Sequence, residues 1–192
     1  MNSRKGNAMK VIVLLSGGID SMACVEFYLE QGYTVEGVFF DYGQPAIKAE
    51  SISANKIATH YGIQLRTIQI PQLYSNDLGE ICGRNAIFAM CALGINGYGA
   101  YKIAIGIHAG TSYADCSLSF VDRINRLYDL YTNGTVILEA PFVEWTKEQI
   151  ISYCVDLSLP IELTYSCEFG NEKPCGKCKS CLDRKVWLNE QY

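Results

Sequence analysis

A continuous apolar run, Val11–Leu15, stops at Ser16-Gly17-Gly18, and a helical pattern begins directly behind it. Five consecutive apolar residues suit a strand buried on both faces, the usual condition in parallel sheets. Parallel neighbours need crossover connections, so helices are expected between strands. The chain keeps that alternation. Further strands are expected at Thr34–Phe40, Gln64–Ile70, Lys102–Ile107 and Thr135–Glu139. Helices are expected at Asp20–Gln31, Pro45–Tyr61, Asn85–Asn96, Ser117–Thr132 and Thr146–Leu157. Most of these end at glycine or Asn-Gly, and Thr146 with Gln149 has capping-box spacing. The expected class is α/β: a doubly wound, five-stranded parallel sheet. Residues 1–9 read as an extension, residues 10–160 as the sheet domain, and residues 161–192 as a cysteine-bearing tail closed by a helix near Ser180–Glu190.

In such sheets, ligands sit at the carboxyl ends of the strands. Four polar or glycine-rich segments follow strands: Ser16–Ser21, Asp41–Gln44, His108–Cys116 and Pro141–Trp145. They are expected to share one rim. The richest is Leu15-Ser16-Gly17-Gly18-Ile19-Asp20-Ser21. Its glycines allow a tight turn and close approach of a ligand, and the following helix offers free N–H groups and a positive dipole end. Together these suit phosphate groups. Asp20 can cap the helix or hold Mg2+ that bridges phosphates. A Walker loop is excluded by the missing lysine, and the dinucleotide fingerprint G-x-G-x-x-G is absent.

The tail carries Cys167, Cys175, Cys178 and Cys181 in C-x7-C-x2-C-x2-C spacing. Four thiolates suit a structural Zn2+, and an iron–sulfur cluster is the competing reading. The other five of the nine cysteines are scattered. An odd count and no secretory signal argue against a disulfide framework and for a cytoplasmic protein. No apolar run reaches the ~20 residues of a membrane span. A net charge of −4 disfavours a nucleic-acid partner.

Ser-Gly-Gly-Ile-Asp-Ser behind such a strand resembles the PP-loop ATP pyrophosphatases, and with the cysteine tail it resembles the QueC, or 7-cyano-7-deazaguanine synthase, family. Further matching segments are Phe40-Asp41-Tyr42-Gly43-Gln44, Gly83-Arg84-Asn85, Tyr113-Ala114-Asp115-Cys116, Phe120 and Pro141–Lys147. The resemblance implies cleavage of ATP between its α and β phosphates, activation of 7-carboxy-7-deazaguanine as an acyl adenylate, and attack by ammonia to give amide and then nitrile. It implies a nucleotide site at Leu15–Ser21 with Asp41 and Gln44, and a substrate site among Arg84, Asn85, His108, Tyr113, Asp115, Cys116 and Phe120. Arg84 could grip a carboxylate or phosphate, or cap a helix or pair with Glu80. Asp115 could accept from ring N–H groups, or cap a helix. Lys147 could offset charge on the α-phosphate, or stand in solvent. His108 suits proton transfer or a structural bond, and Cys116 suits lining the pocket more than nucleophilic attack.

The substrate side departs from the family pattern. Pro45 replaces an arginine, Cys82 a proline and Ala109 an aspartate, the run at Ala114–Ser119 loses an arginine and a glutamate, and the Pro71–Arg84 segment is short. Other readings are therefore carried forward: a defence-associated QueC-like enzyme that passes the activated acid to another amine, such as a protein acceptor; a PP-loop tRNA-modifying enzyme; and a nucleotide-binding module without turnover. A homodimer is a further expectation.

Overall fold

The computed structural model describes residues 9–75, 80–97, 99, 101–170 and 173–188. The proposed extension, apart from Met9, lies outside the described residues. Five strands, β1 (Lys10–Leu14), β2 (Thr34–Asp41), β3 (Gln64–Gln69), β4 (Tyr101–Ala104) and β5 (Val136–Glu139), form one sheet in the order β3-β2-β1-β4-β5. Every pairing is parallel. Among the described residues six helices accompany them: α1 (Ile19–Glu30), α2 (Ile47–Tyr61), α3 (Arg84–Asn96), α4 (Leu118–Thr132), α5 (Lys147–Asp156) and α6 (Lys179–Leu188). A short 3-10 turn at Ile161–Leu163 was not expected.

The period-2 alternation of β1 splits the core in two. Val11, Val13 and Leu15 pack with α1, α2 and α5, while Ile12 and Leu14 face α3 and α4 on the other side. Both faces of the central strand are buried, which is why its sequence is continuously apolar. The order reverses between β1 and β4, so a crevice opens at their carboxyl ends.

Most boundaries fall within two residues of expectation. Pro45 lies outside α2, which starts at Ile47. The fourth strand is shorter than Lys102–Ile107: its ladder ends at Ala104, and Ile105 adds one N–H bond to the Glu139 carbonyl before the chain turns away. The capping box is formed, with Thr146 Oγ1 accepting from Gln149 N at 3.2 Å and Gln149 Oε1 accepting from Thr146 N at 2.8 Å.

Behind β4, Gly106 passes directly over the first turn of α1. A Cβ there would stand 2.8 Å from the backbone carbon and oxygen of Asp20 and 3.1 Å from Ser21 N. Backbone on both sides leaves no flexible atom to yield. Gly106→Ala should lower stability by about 1–3 kcal/mol, the scale of overpacking, read as a fall in denaturant midpoint at unchanged slope.

Candidate active site

The loop between β1 and α1 is held from three directions. The Ser53 hydroxyl of α2 donates to the Gly17 carbonyl at 2.8 Å, and the backbone N–H of Tyr165, in the tail, donates to the same oxygen at 2.9 Å. The Leu163 carbonyl shares the one Ser53 hydroxyl proton. Gly17 has φ +87°, and a Cβ on it would meet Glu50 O at 2.6 Å, so only glycine fits. Ser21 Oγ donates to Gly18 O at 2.9 Å, and Ser16 Oγ donates to Ser21 Oγ at 3.2 Å.

Among the described residues no side-chain cap is formed at the starts of α1 and α2. The first turns of α3, α4 and α5 are served differently. Asp115 Oδ2 accepts from Asn85 N at 3.3 Å, Ser117 Oγ accepts from Phe120 N, and Thr146 caps α5. The opening turn of α1, with its positive dipole end, thus has the character of an anion site.

Two cavities of about 380 and 470 Å3 flank this loop. They share Ser16, Asp20, Glu50, His108, Thr111, Tyr113 and Ser180, so they form one cleft around it. Both sizes suit small molecules. The inner cavity reaches over the ends of β1, β2 and β4, with Leu15, Phe40, Tyr42, Gln44, Arg84, Asn85, Phe88 and Cys116 in its wall. The outer cavity lies between the loop and the tail and holds Gly18, Ile19, Lys147, Lys179, Asp183 and Arg184. Lys147 is not a free surface lysine. Its Nζ sits 2.5 Å from Asp20 Oδ1, with both side chains about a quarter exposed.

The inner wall is aromatic and fixed. Phe40 and Phe88 stack with centroids 4.6 Å apart, and Tyr42 leans on Phe88. Gln44 is buried: its Nε2 donates to Phe40 O and to Glu50 Oε2 at 2.9 Å, and its Oε1 accepts from Tyr42 N. The Arg84 guanidinium lies close enough to Tyr42 to oppose the rise that burial gives its hydroxyl. Burial lifts the Glu50 carboxyl above the ordinary carboxylate range, against the opposing pull of Gln44 and Arg84.

Several residues named from sequence stand elsewhere. Asp41 lines neither cavity; its Oδ1 accepts from Gly43 N at 3.1 Å and shapes the turn after β2. Asp115 also lines neither and caps α3 rather than the helix that follows it. Phe120 packs against the core of the α3–α4 side. Asn85 ties that loop down, its Nδ2 donating to Asp115 O at 3.2 Å. Burial raises the Cys116 thiol above its ordinary value, Asp115 adding to this and Thr111 and Arg84 opposing it.

Glu50, Thr111, Tyr165, Lys179 and Ser180 line the cleft and were not read from sequence. Glu50 carried a signal: it lies in helical register with the buried Ser53, Ala54 and Ile57 of α2, so its carboxylate had to point inward. Tail residues carried none, because the approach of Tyr165 to Gly17 is a tertiary contact.

The sulfurs of Cys167, Cys175, Cys178 and Cys181 lie within 4.8 Å of one another. A tetrahedral ion with Zn–S bonds of about 2.3 Å requires sulfur separations of roughly 3.8 Å, and Cys175 and Cys181 stand at 3.9 Å. Backbone N–H groups of Lys177 and Cys178 point at the Cys175 sulfur and bring its thiol down to about 6, whereas burial pushes Cys181 up to about 12. Four clustered sulfurs with N–H donors turned toward them fit a thiolate-bound metal, which would ionise them together.

The family model for "Queuosine biosynthesis protein QueC" matches residues 10–81 and 78–191. The chain belongs to the QueC family. Among curated relatives, the 7-cyano-7-deazaguanine synthase of Prochlorococcus marinus (strain MIT 9312) is 32% identical, with 94% of this chain and 96% of that protein covered. The synthase of Methanothermobacter thermautotrophicus is 29% identical over 92% of this chain and 93% of its own length. The Prochlorococcus alignment runs over 221 positions against 192 residues here, so that relative carries inserted residues. The two blocks of the family match meet between β3 and α3, where the short segment lies. Among solved structures, the U34-tRNA thiolase NcsA of Methanococcus maripaludis, described with its [4Fe-4S] cluster, has a TM-score of 0.55 at 16% identity, covering 85% of this chain and 61% of its own. A predicted tRNA methyltransferase subunit from Methanocaldococcus jannaschii has a TM-score of 0.50 at 16% identity, covering 77% of this chain and 76% of its own. These two share the fold. Family membership makes this QueC-family chain an ATP-using ligase.

Two outcomes follow from the geometry. Cys167→Ser should lose the bound metal, read by elemental analysis, and weaken ATP binding in titration calorimetry, because Cys167 lies two residues from the Tyr165 N–H that holds the loop. Because burial raises Cys116, its thiolate is scarcer at pH 8 than that of an ordinary cysteine. Peptide-mapped iodoacetamide labelling of Cys116 should be slow at that pH and climb as pH rises further.

Proposed function

We propose that this enzyme activates the carboxylate of 7-carboxy-7-deazaguanine with ATP and passes the acyl group to ammonia, giving 7-cyano-7-deazaguanine. The observation that carries the reading is the cleft itself: an uncapped helix start beside Lys147, joined to an aromatic-walled cavity that contains Arg84. Family membership and the name of the relatives supply the substrate. The division into a nucleotide-binding body at residues 10–160 and a tail at residues 161–192 follows the same reading, as does a cytoplasmic location.

A carboxylate resists attack because oxide would have to leave. Adenylation replaces that leaving group with AMP. One carboxylate oxygen bonds the α-phosphorus while the bond to pyrophosphate breaks. The α1 amides and the Ser16 and Ser21 hydroxyls suit the pyrophosphate, with Mg2+ near Asp20 offsetting its charge. Lys147 faces the same region and suits the α-phosphoryl group. Ammonia then attacks the acyl carbon, AMP leaves, and a proton is released. In a second adenylation the amide oxygen bonds the α-phosphorus of another ATP and pyrophosphate leaves; loss of AMP and of both amide protons then forms the nitrile. Arg84, beside Tyr42 in the inner wall, suits a carboxylate or phosphate. Asn85, His108, Tyr113 and Cys116 line the substrate side, Gln44 braces it, and Zn2+ at the four cysteines would fasten the tail.

Transfer to a different amine, including one on a protein, is the second reading. It is favoured by the altered run Ala114–Ser119 and by the short connection between β3 and α3. Incubation with ATP, Mg2+, ammonium and 7-carboxy-7-deazaguanine should release AMP and pyrophosphate and yield nitrile by mass spectrometry. AMP release with no nitrile or amide would favour another acceptor, and no AMP release would reject the proposed substrate. Lys147→Ala should lower kcat by roughly 10²-fold or more, on the scale of losing one charge-stabilising donor.

A further inference from the structure

His108 stands where the two cavities meet and lines both. Two glycines place it. Gly106 lets the chain pass over the first turn of α1, and Gly110 packs so close that a Cβ would lie 2.9 Å from both Cε1 and Nδ1 of the imidazole. The backbone N–H of Gly110 donates to Nδ1 at 3.0 Å. A ring nitrogen that accepts carries no proton, so a neutral imidazole held this way has its proton on Nε2. No other hydrogen bond of this ring is made to the described residues.

The surroundings favour the neutral ring. Burial lowers its pKa from the ordinary histidine value. Asp20 opposes that shift, Lys147 and Lys179 add to it, and Asp183 opposes it. Asp20 is already engaged by Lys147.

We propose that His108 is a fixed, neutral hydrogen-bond donor that offers its Nε2–H to an anionic phosphoryl oxygen at the junction of the cleft, and is not a proton acceptor. This deepens the adenylation reading and rests on it. When a carboxylate oxygen bonds the α-phosphorus and pyrophosphate leaves, no proton changes hands. A base has nothing to remove in that step. A donor that keeps its proton stabilises the phosphoryl oxygens, and a neutral one does so without adding a third cation beside Lys147 and Lys179.

The chain has two histidines, so 15N-histidine NMR can resolve both, with His60→Gln for assignment. At neutral pH His108 should be the neutral Nε2–H tautomer, and a non-hydrolysable ATP analogue with Mg2+ should perturb Nε2 more than Nδ1. An Nδ1–H tautomer, an imidazolium, or an Nε2 that ignores the analogue would overturn the proposal. His108→Gln, whose side-chain amide keeps an N–H donor, should retain kcat within about tenfold, while His108→Ala should lose about 10²-fold. Equal losses in the two would indicate proton transfer and would also overturn it. The tautomer is read without turnover. An enzyme that released no AMP from 7-carboxy-7-deazaguanine would therefore defeat the proposed substrate while leaving the donor assignment to be judged by NMR.

Discussion

The Gly17 carbonyl receives hydrogen bonds from Ser53, 36 residues away on α2, and from the backbone of Tyr165 in the tail. That oxygen is the point where three parts of the chain meet. The glycine that carries it has positive φ, a turn other residues rarely adopt. A flexible loop would lose much of its binding free energy to ordering when phosphate arrived; a loop already held avoids that cost. The cysteine cluster, close behind Tyr165 in sequence, is then more than a distant clamp. Tyr165 packs against it, so a metal held there would steady the segment that bonds the loop.

Around that point the side chains divide their tasks. On the inner side, Tyr42, Gln44, Glu50 and Arg84 brace one another beside the stacked Phe40–Phe88 pair. On the outer side, Lys147 and Asp20 form an ion pair at the foot of α1, with Lys179 and Asp183 of α6 in the facing wall. A cleft with one aromatic, hydrogen-bonded half and one charged half suits a reaction between a planar heterocyclic acid and a nucleoside triphosphate. Several polar residues beside the cleft are occupied with structure: Asp115 and Asn85 join the loop after β4 to the start of α3, and Asp41 turns the chain after β2.

Much of this was legible in the residues. A five-residue apolar run broken by two glycines identified β1, its parallel sheet and the loop behind it, because burial on both faces and a positive-φ turn each demand those residue types. Thr146 and Gln149 announced α5, and the cysteine spacing announced the cluster. What escaped was tertiary. The pairing of Lys147 with Asp20 spans 127 residues, and nothing local distinguishes that lysine from one in solvent. Asp115 sits in a motif that suggests a ligand group, and its bond to the open start of α3 could not be seen from the local sequence. The inward-facing Glu50 was visible in the helical register of α2 and passed over.

If the reading proposed above is right, the turn between β1 and α1 holds the two phosphates that ATP gives up. A crystal structure with Mg2+ and a non-hydrolysable ATP analogue tests it most directly. β- and γ-phosphate oxygens should then lie within hydrogen-bond distance of the backbone amides and hydroxyls of Ser16–Ser21. A nucleotide bound with its phosphates away from that turn would contradict it.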